Sequence, residues 1–352
     1  MNYLHKNFPA ITEKLSYIHL GNLPTPVEKL ENLGFNHHLS TYIKRDDISG
    51  ALYGGNKVRK LEFILADAIE KGAKRVITTG VIGSNHALAV ARYSVHLGLK
   101  PVLMLFGNQQ GEHVKMNLLA DCETGAEMYY DATFEEHQKS MIRVIDHYRK
   151  IDSCEPYIIP AGGTSNIGIA GYINAAFELS DQIEKKEIPA PDAIYLPFGT
   201  MGTAAGLLLG VKIIGLKCKI VPVQVVASVV ADEKKYASLV RSANDFYHSL
   251  DKSFPVISFE EEDFNIKKEY LGPGYGISTK QTEQTIKFFH EREGIKLDSV
   301  YSGKAATAFL DHCKEISGEE QVVLFWNTKN SIPINVNKRA GEQLPPDFQK
   351  FF

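Results

Sequence analysis

The sequence is poor in cysteine, in charge of one sign and in long apolar runs. Four cysteines occur in 352 residues, Cys122, Cys154, Cys218 and Cys313. No two form a C-x-x-C pair and their spacing fits no zinc site, so they read as reduced thiols. Lys and Arg number 39 against 42 Asp and Glu, a net charge of −3. That balance gives no general attraction to nucleic-acid phosphates. The most apolar stretches, Pro101–Phe106 and the interrupted Val221–Val230, fall far short of the ~20 residues of a membrane span. The opening MNYLHKNFPAITEK has no apolar core of a secretory signal. No H-E-x-x-H, G-x-S-x-G or EF-hand loop occurs, and no metal site is expected. The expectation is a soluble cytoplasmic protein without nucleic-acid or membrane partners.

At about 150 residues per domain the length suggests roughly two domains. Hydrophobic residues make up 44% and charged residues 23%, which suits a chain that buries a large core without staples. Strand-like and helix-like segments alternate. Arg75–Thr79, Pro101–Phe106, Asp192–Phe198, Ile220–Val226 and Val322–Trp326 read as buried strands. Lys60–Lys71, Asn85–Leu97, Phe134–Ile151, Ala204–Ile214, Gln281–Glu293 and Lys304–Ser317 read as helices. Strands separated by helices of this length predict the α/β class with parallel sheets.

Three segments have the composition of ligand loops. In Ser49–Glu62 (SGALYGGNKVRKLE), two glycines and an asparagine bring Lys57 to the start of a helix. A lysine there can hold a phosphate or act as a nucleophile, although G-G-N-K by itself also fits a solvated lysine after a turn. In Thr79–His86 (TGVIGSNH), Ser84, Asn85 and His86 open a helix. The segment fits both a simple cap and a carboxylate or phosphate seat. In Gly199–Gly206 (GTMGTAAG), a Gly/Thr loop joins strand to helix as in phosphate cradles, without the G-x-G-x-x-G or Walker pattern. Tyr275 and Tyr301 stand in glycine-rich contexts and are candidate proton donors. His37, His38 and His113 have no spaced partners and read as surface residues.

Together these segments resemble pyridoxal-phosphate enzymes of the tryptophan synthase β-like fold (fold type II), in the group of 1-aminocyclopropane-1-carboxylate deaminase and D-cysteine desulfhydrase. The resemblance rests on Lys44-Arg45-Asp46-Asp47, on Gly54-Gly55-Asn56-Lys57 with Arg59-Lys60-Leu61-Glu62, and on Ser84-Asn85-His86. It continues through Ile159–Gly163, Gly199–Thr203, Gly272–Gly276 and Val300–Lys304, in order, across most of the chain. It implies an α/β, two-domain fold of open, twisted, mainly parallel sheets with flanking helices. The larger domain would take residues 1–58 and 175–352 and the smaller 59–174, with pyridoxal 5'-phosphate in the cleft and a homodimer as the assembly.

The resemblance also implies roles. Lys57 would hold the cofactor covalently. Lys60 with Gly199, Thr200, Met201, Gly202 and Thr203 would bind its phosphate. Asn85 would bond the ring hydroxyl, and Thr328 would face the pyridine nitrogen as a neutral hydroxyl, making the cofactor a weaker electron sink. Ser84, Asn85 and His86 would take the carboxylate of a small amino-acid substrate, with Ser84 near the reacting carbon. Tyr275 and Tyr301 would line the substrate side.

The chain departs from the family pattern at Gly83, where a glutamine is common, at Met201, and at Lys329-Asn330, where Gly-Gly is frequent. At Ser302 and Thr328 it carries the small hydroxyls typical of the desulfhydrases, whereas the cyclopropane deaminases carry Glu and Leu. The expected activity is therefore elimination from D-cysteine to keto acid, ammonia and sulfide. Opening of the cyclopropane amino acid is the alternative within the family, and a non-catalytic cofactor-binding scaffold or sensor is the alternative outside it.

Overall fold

A computed structural model of the chain describes residues 2–35, 37–317, 320–337, 341 and 343–352. Two sheets organise it. The first comprises β1 (Val27–Lys29), β2 (Leu39–Lys44), β7 (Ala193–Phe198), β8 (Lys219–Gln224) and β9 (Gln321–Trp326), in the order β1-β2-β9-β7-β8. Within it only the β1–β2 pair is antiparallel. The second comprises β3 (Arg75–Val81), β4 (Lys100–Phe106), β5 (Glu127–Asp131) and β6 (Tyr157–Ile159), in the order β5-β4-β3-β6 and all parallel. β7 is buried along its whole length, as expected of a parallel strand covered on both faces.

Helices fill the crossovers: α3 (Lys57–Glu70), α4 (Asn85–His96), α5 (Glu112–Glu123), α6 (Phe134–Asp152), α7 (Asn166–Glu184), α8 (Gly202–Ile214), α9 (Glu233–Leu250), α10 (Lys280–Glu293) and α11 (Ser302–Glu315). Two short N-terminal helices, α1 (Tyr3–Asn7) and α2 (Pro9–Thr12), close over α7 and α9 through Leu4, Phe8 and Ile11.

The strands of the second sheet fall between residues 75 and 159, and those of the first come from both sides of that stretch. A boundary at 174/175 falls inside α7, because that helix packs as one piece on α3 and α8 in the core of the first sheet. At the other end, Leu344, Phe348 and Phe351 pack against Leu103, Leu105 and Leu118 of the second sheet's layer. The chain therefore crosses back after β9.

Beneath α3 lies a buried ion cluster. Arg59 donates to both carboxylate oxygens of Asp46 and to Glu178, and Lys44 Nζ donates to Glu178 Oε1 at 2.6 Å. Tyr172 and Trp326 donate to Asp46 Oδ2 at 2.6 and 2.8 Å. All six side chains are sealed from solvent. This places the Lys44–Asp47 and Arg59 motifs in the scaffold. They hold the loop before α3 against β2 and β9.

Candidate active site

The carboxyl ends of β3, β7 and β9 converge on one cavity of about 370 Å³, the position where open parallel sheets bind ligands. Lys57, Ser84, Asn85, His86, Tyr275, Tyr301 and Thr328 all reach its wall, as does the loop Gly199–Thr203. Of the residues expected above, Lys60 sits directly behind the wall and Ser302 lies outside the cavity.

Lys57 begins α3, where the backbone is set by two glycines. A Cβ on Gly54 would collide with the carbonyl of Asp47, and Gly55 has φ +88° with Thr328 O only 2.7 Å from where its Cβ would be. Asn56 N donates to that same carbonyl at 2.9 Å. Lys57 Nζ donates to Asn56 Oδ1 at 2.8 Å. Burial lowers its amine from 10.5 to about 8, because the charged form is poorly solvated. A sizeable neutral fraction is then available near neutral pH.

Lys60 is fully buried, and its Nζ donates to Gly162 O at 3.0 Å. Burial first, and the charge of Lys57 second, push its amine well below the ordinary value. The same nitrogen lies 2.9 Å from where a Cβ on Gly202 would stand, so a side chain there would push the amine aside. Gly202 opens α8, whose first turn has no side-chain cap, and the preceding Met201 holds a left-handed φ of +68°. An uncapped helix N-terminus beside a buried amine is a seat for an anion. The donor set therefore fits the phosphate of the expected cofactor. Thr164 Oγ1 donates to Thr200 O at 2.7 Å and tightens this loop, and Asn56 Nδ2 donates to Thr203 Oγ1 at 3.0 Å.

Ser84 caps α4, accepting from Ala87 N at 3.3 Å. The amides of Asn85 and His86 open that helix and have no intrahelical acceptor. Asn85 Oδ1 accepts from Tyr53 OH at 3.1 Å and Asn117 Nδ2 at 3.0 Å, which leaves its Nδ2 to donate elsewhere. Sequence reading missed both supporting partners. Asn117 lies on a weakly patterned helix and Tyr53 in a loop, and neither carries a local signal.

The His86 ring is buried and bonds Thr78 Oγ1 through Nε2 at 2.9 Å. Burial, then Lys57 and Lys60, hold it well below its usual pKa. It is therefore a neutral ring, and a carboxylate at this turn would meet the backbone amide of His86.

The phenols of Tyr275 and Tyr301 bond each other, and burial raises both pKa values, so both stay protonated. Lys304 Nζ donates to Leu271 O at 2.7 Å and Gly274 O at 3.0 Å, fixing the loop that carries Tyr275. Ser302, expected to bear on substrate choice, does not line the cavity. Its hydroxyl donates to Asp298 Oδ1 at 2.6 Å and accepts from Asp298 N at 2.8 Å, which spends it on the start of α11. Asn330 is likewise a clamp, accepting from Gly54 N at 2.7 Å. Thr328 does face the cavity, and among the described residues no Asp or Glu lines it. Among the described residues no cluster suited to a metal is found and no helix is long and apolar enough to cross a membrane.

Comparison with known proteins agrees with this geometry. Residues 18–327 match the family described as pyridoxal-phosphate dependent enzyme. A Thermotoga maritima protein provisionally named 1-aminocyclopropane-1-carboxylate deaminase is 34% identical over 88% of this chain and 95% of its own. A Salmonella paratyphi B D-cysteine desulfhydrase is 32% identical over 82% and 85%. A crystal structure described as an ACC deaminase homologue superposes with a TM-score of 0.76 at 33% identity, covering 91% of this chain and 93% of that one. With cofactor seat, cavity and relatives in agreement, the chain belongs to the pyridoxal-phosphate-dependent enzymes, in the family of the 1-aminocyclopropane-1-carboxylate deaminases and D-cysteine desulfhydrases.

Proposed function

We propose that the enzyme eliminates the β-substituent of a small amino acid, in the manner of a D-cysteine desulfhydrase. The observation that carries this reading is a cavity wall without a carboxylate among the described residues, with the neutral hydroxyl of Thr328 among its polar groups. Bound pyridoxal phosphate supplies an electron sink that makes the α-hydrogen of an amino acid acidic. Thr328 cannot keep the ring nitrogen protonated as an acid would, so the sink is weak. A thiolate leaves readily under those conditions, whereas ring opening has no comparable leaving group.

Each wall then has a task. Lys57 would attach the cofactor, and its amine, which burial keeps easier to deprotonate than an ordinary lysine, would take the α-proton once substrate has displaced it. Lys60 and the Gly199–Thr203 turn hold the phosphate. Asn85, pinned through its Oδ1, donates to the ring hydroxyl. The Ser84 hydroxyl and the amides of Asn85 and His86 take the α-carboxylate. The Tyr275–Tyr301 pair faces the β-substituent and supplies a proton to it as the Cβ–S bond breaks. With water, D-cysteine gives pyruvate, ammonia and hydrogen sulfide. Cytoplasmic location, a homodimer and the division into a smaller unit (59–174) inserted in a larger one belong to this reading through the family resemblance.

Steady-state kcat/KM of the holoenzyme is the test, with D-cysteine, β-chloro-D-alanine and 1-aminocyclopropane-1-carboxylate compared under one set of conditions. The expected order places the first two well above the third. A larger value for the cyclopropane acid reverses the assignment, and no turnover of any amino acid leaves a cofactor-binding scaffold.

A further inference from the structure

Two departures from the family pattern, Gly83 and Lys329, meet in one place. Beside the main cavity lies a second, of about 400 Å³, sharing Val81, Asn85, Tyr275, Tyr301 and Lys329 with it. Gly83 forms part of its wall. Gly83 has φ +74°, and a Cβ there would stand 2.9 Å from Val114 Cα, so the backbone of Val114 packs directly on this glycine. The remaining polar lining comprises Gln109, Gln110, His113, Asn117, Asp298 and Ser299.

Lys329 lies between the two cavities. It makes no hydrogen bond and no ion pair among the described residues. Asp298 is the one carboxylate on this wall among the described residues, and it is already saturated. It accepts from the amides of Val300, Tyr301 and Ser302 and from the Ser302 hydroxyl. The two phenols share one hydrogen bond, which leaves one O–H of the pair to donate into the cavity. Lys329 is half-buried, and Asp298 is the nearby opposite charge but lies outside ion-pair distance, so its amine can still take a direct anionic partner, and it borders the main cavity as well.

We propose that Lys329 receives a second, distal negative charge of the substrate. The preferred substrate is then a cysteine or serine derivative whose β-substituent carries a carboxylate, sulfonate, sulfate or phosphate. This rests on the elimination reading and names its substrate class. The α-proton is removed, the bond from Cβ to the substituent breaks with its electron pair going to the departing anion, and water releases pyruvate and ammonia. No oxidant or reductant is required. The second cavity accommodates the longer substituent, and the side-chain amide of Gln109 on its wall donates to its oxygens.

The test separates binding from turnover. Calorimetric titration of the holoenzyme compares 3-sulfopropionate with propionate. The dianion is expected to bind about tenfold to a hundredfold more tightly, the worth of one charge-assisted hydrogen bond. Lys329→Gln should bring that ratio close to one, and Lys329→Arg should keep it. Equal affinities in the wild-type protein overturn the proposal without recourse to any variant. So does a Lys329→Gln protein in which both ligands weaken by the same factor, because Lys329 would then hold the α-carboxylate. Turnover of O-phosphoserine and S-sulfocysteine against β-chloroalanine, in both enantiomers, is the second arm. A dianion preference without turnover of any amino acid keeps the anion seat and discards the elimination reading.

Discussion

Four lysines surround the site, and their surroundings differ enough to assign them different work. Lys60 is sealed behind the phosphate turn and donates to Gly162 O. Lys304 is committed to two carbonyls of the tyrosine loop. Lys329 lines both the main cavity and the second one. Lys57 alone combines a place on the main cavity wall with an amine held at about 8 by burial and a side-chain acceptor at 2.8 Å. Covalent attachment of a carbonyl cofactor needs a neutral amine, and near pH 8 roughly half of Lys57 is in that form. Borohydride reduction of the holoenzyme followed by peptide mapping should place the cofactor on Lys57, and Lys57→Ala should abolish the reducible linkage. Label found on Lys60, Lys304 or Lys329 would contradict the geometry.

Among the elements, α8 shows how a helix terminus becomes a binding device. It starts without a side-chain cap, at a turn strained by the positive φ of Met201, and faces Lys60 across Gly202. Strain of this kind persists where the surroundings enforce it, often at ligand sites. Thr203 sits in the first turn, its hydroxyl fixed by Asn56 Nδ2. Thr203→Ala should therefore raise the cofactor dissociation constant about tenfold to a hundredfold, the value of a hydrogen bond to a charged group. Equilibrium dialysis measures this, and an unchanged constant would remove Thr203 from the phosphate seat. The α8 segment is also legible in the amino-acid sequence alone, because a buried strand runs into a Gly/Thr turn and then an apolar helix. α4 and β3 are readable in the same way. By contrast α7, buried on nearly every side between α3 and α8, has no polar face to set a period and gives no local sign. α5 likewise lacks a clear apolar stripe, and β1 and β6 have only three residues each. Within the site, Lys57 and the Ser84–His86 turn are individually ambiguous and gain meaning from their order along the chain. Tyr53 and Asn117 cannot be found that way, since their partner Asn85 is distant in sequence and only folding brings them to it.

The whole molecule depends on the ion cluster of Lys44, Asp46, Arg59 and Glu178, which ties β2, α3 and α7 together and reaches β9 through Trp326. Its response to pH follows from Glu178. Burial pushes that carboxyl up, but Arg59 and Lys44 outweigh burial and hold it at about 2, below its ordinary 4.5. A carboxyl with a depressed folded-state pKa stabilises the fold fully above its unfolded value and loses that contribution as pH falls toward the folded one. The window is thus 4.5 down to about 2, and the contribution is about 3 kcal/mol. Glu62 has the opposite sign. Burial raises it to about 7 despite the Leu20 and Gly21 amides, so its effect falls between 4.5 and 7 and does not overlap. Trp326 is the only tryptophan of the chain, fully buried and bonded to Asp46, so its fluorescence reports on the cluster directly. Denaturant titrations followed by that signal should show stability dropping between about pH 4.5 and about pH 2 in the wild-type protein. Glu178→Gln should flatten this drop and lower stability at neutral pH by about 3–5 kcal/mol, because Arg59 and Lys44 lose a buried partner. If the variant instead keeps the full acid dependence, the proton that unfolds the molecule binds elsewhere, and the cluster is not what couples the two ends of the chain to pH.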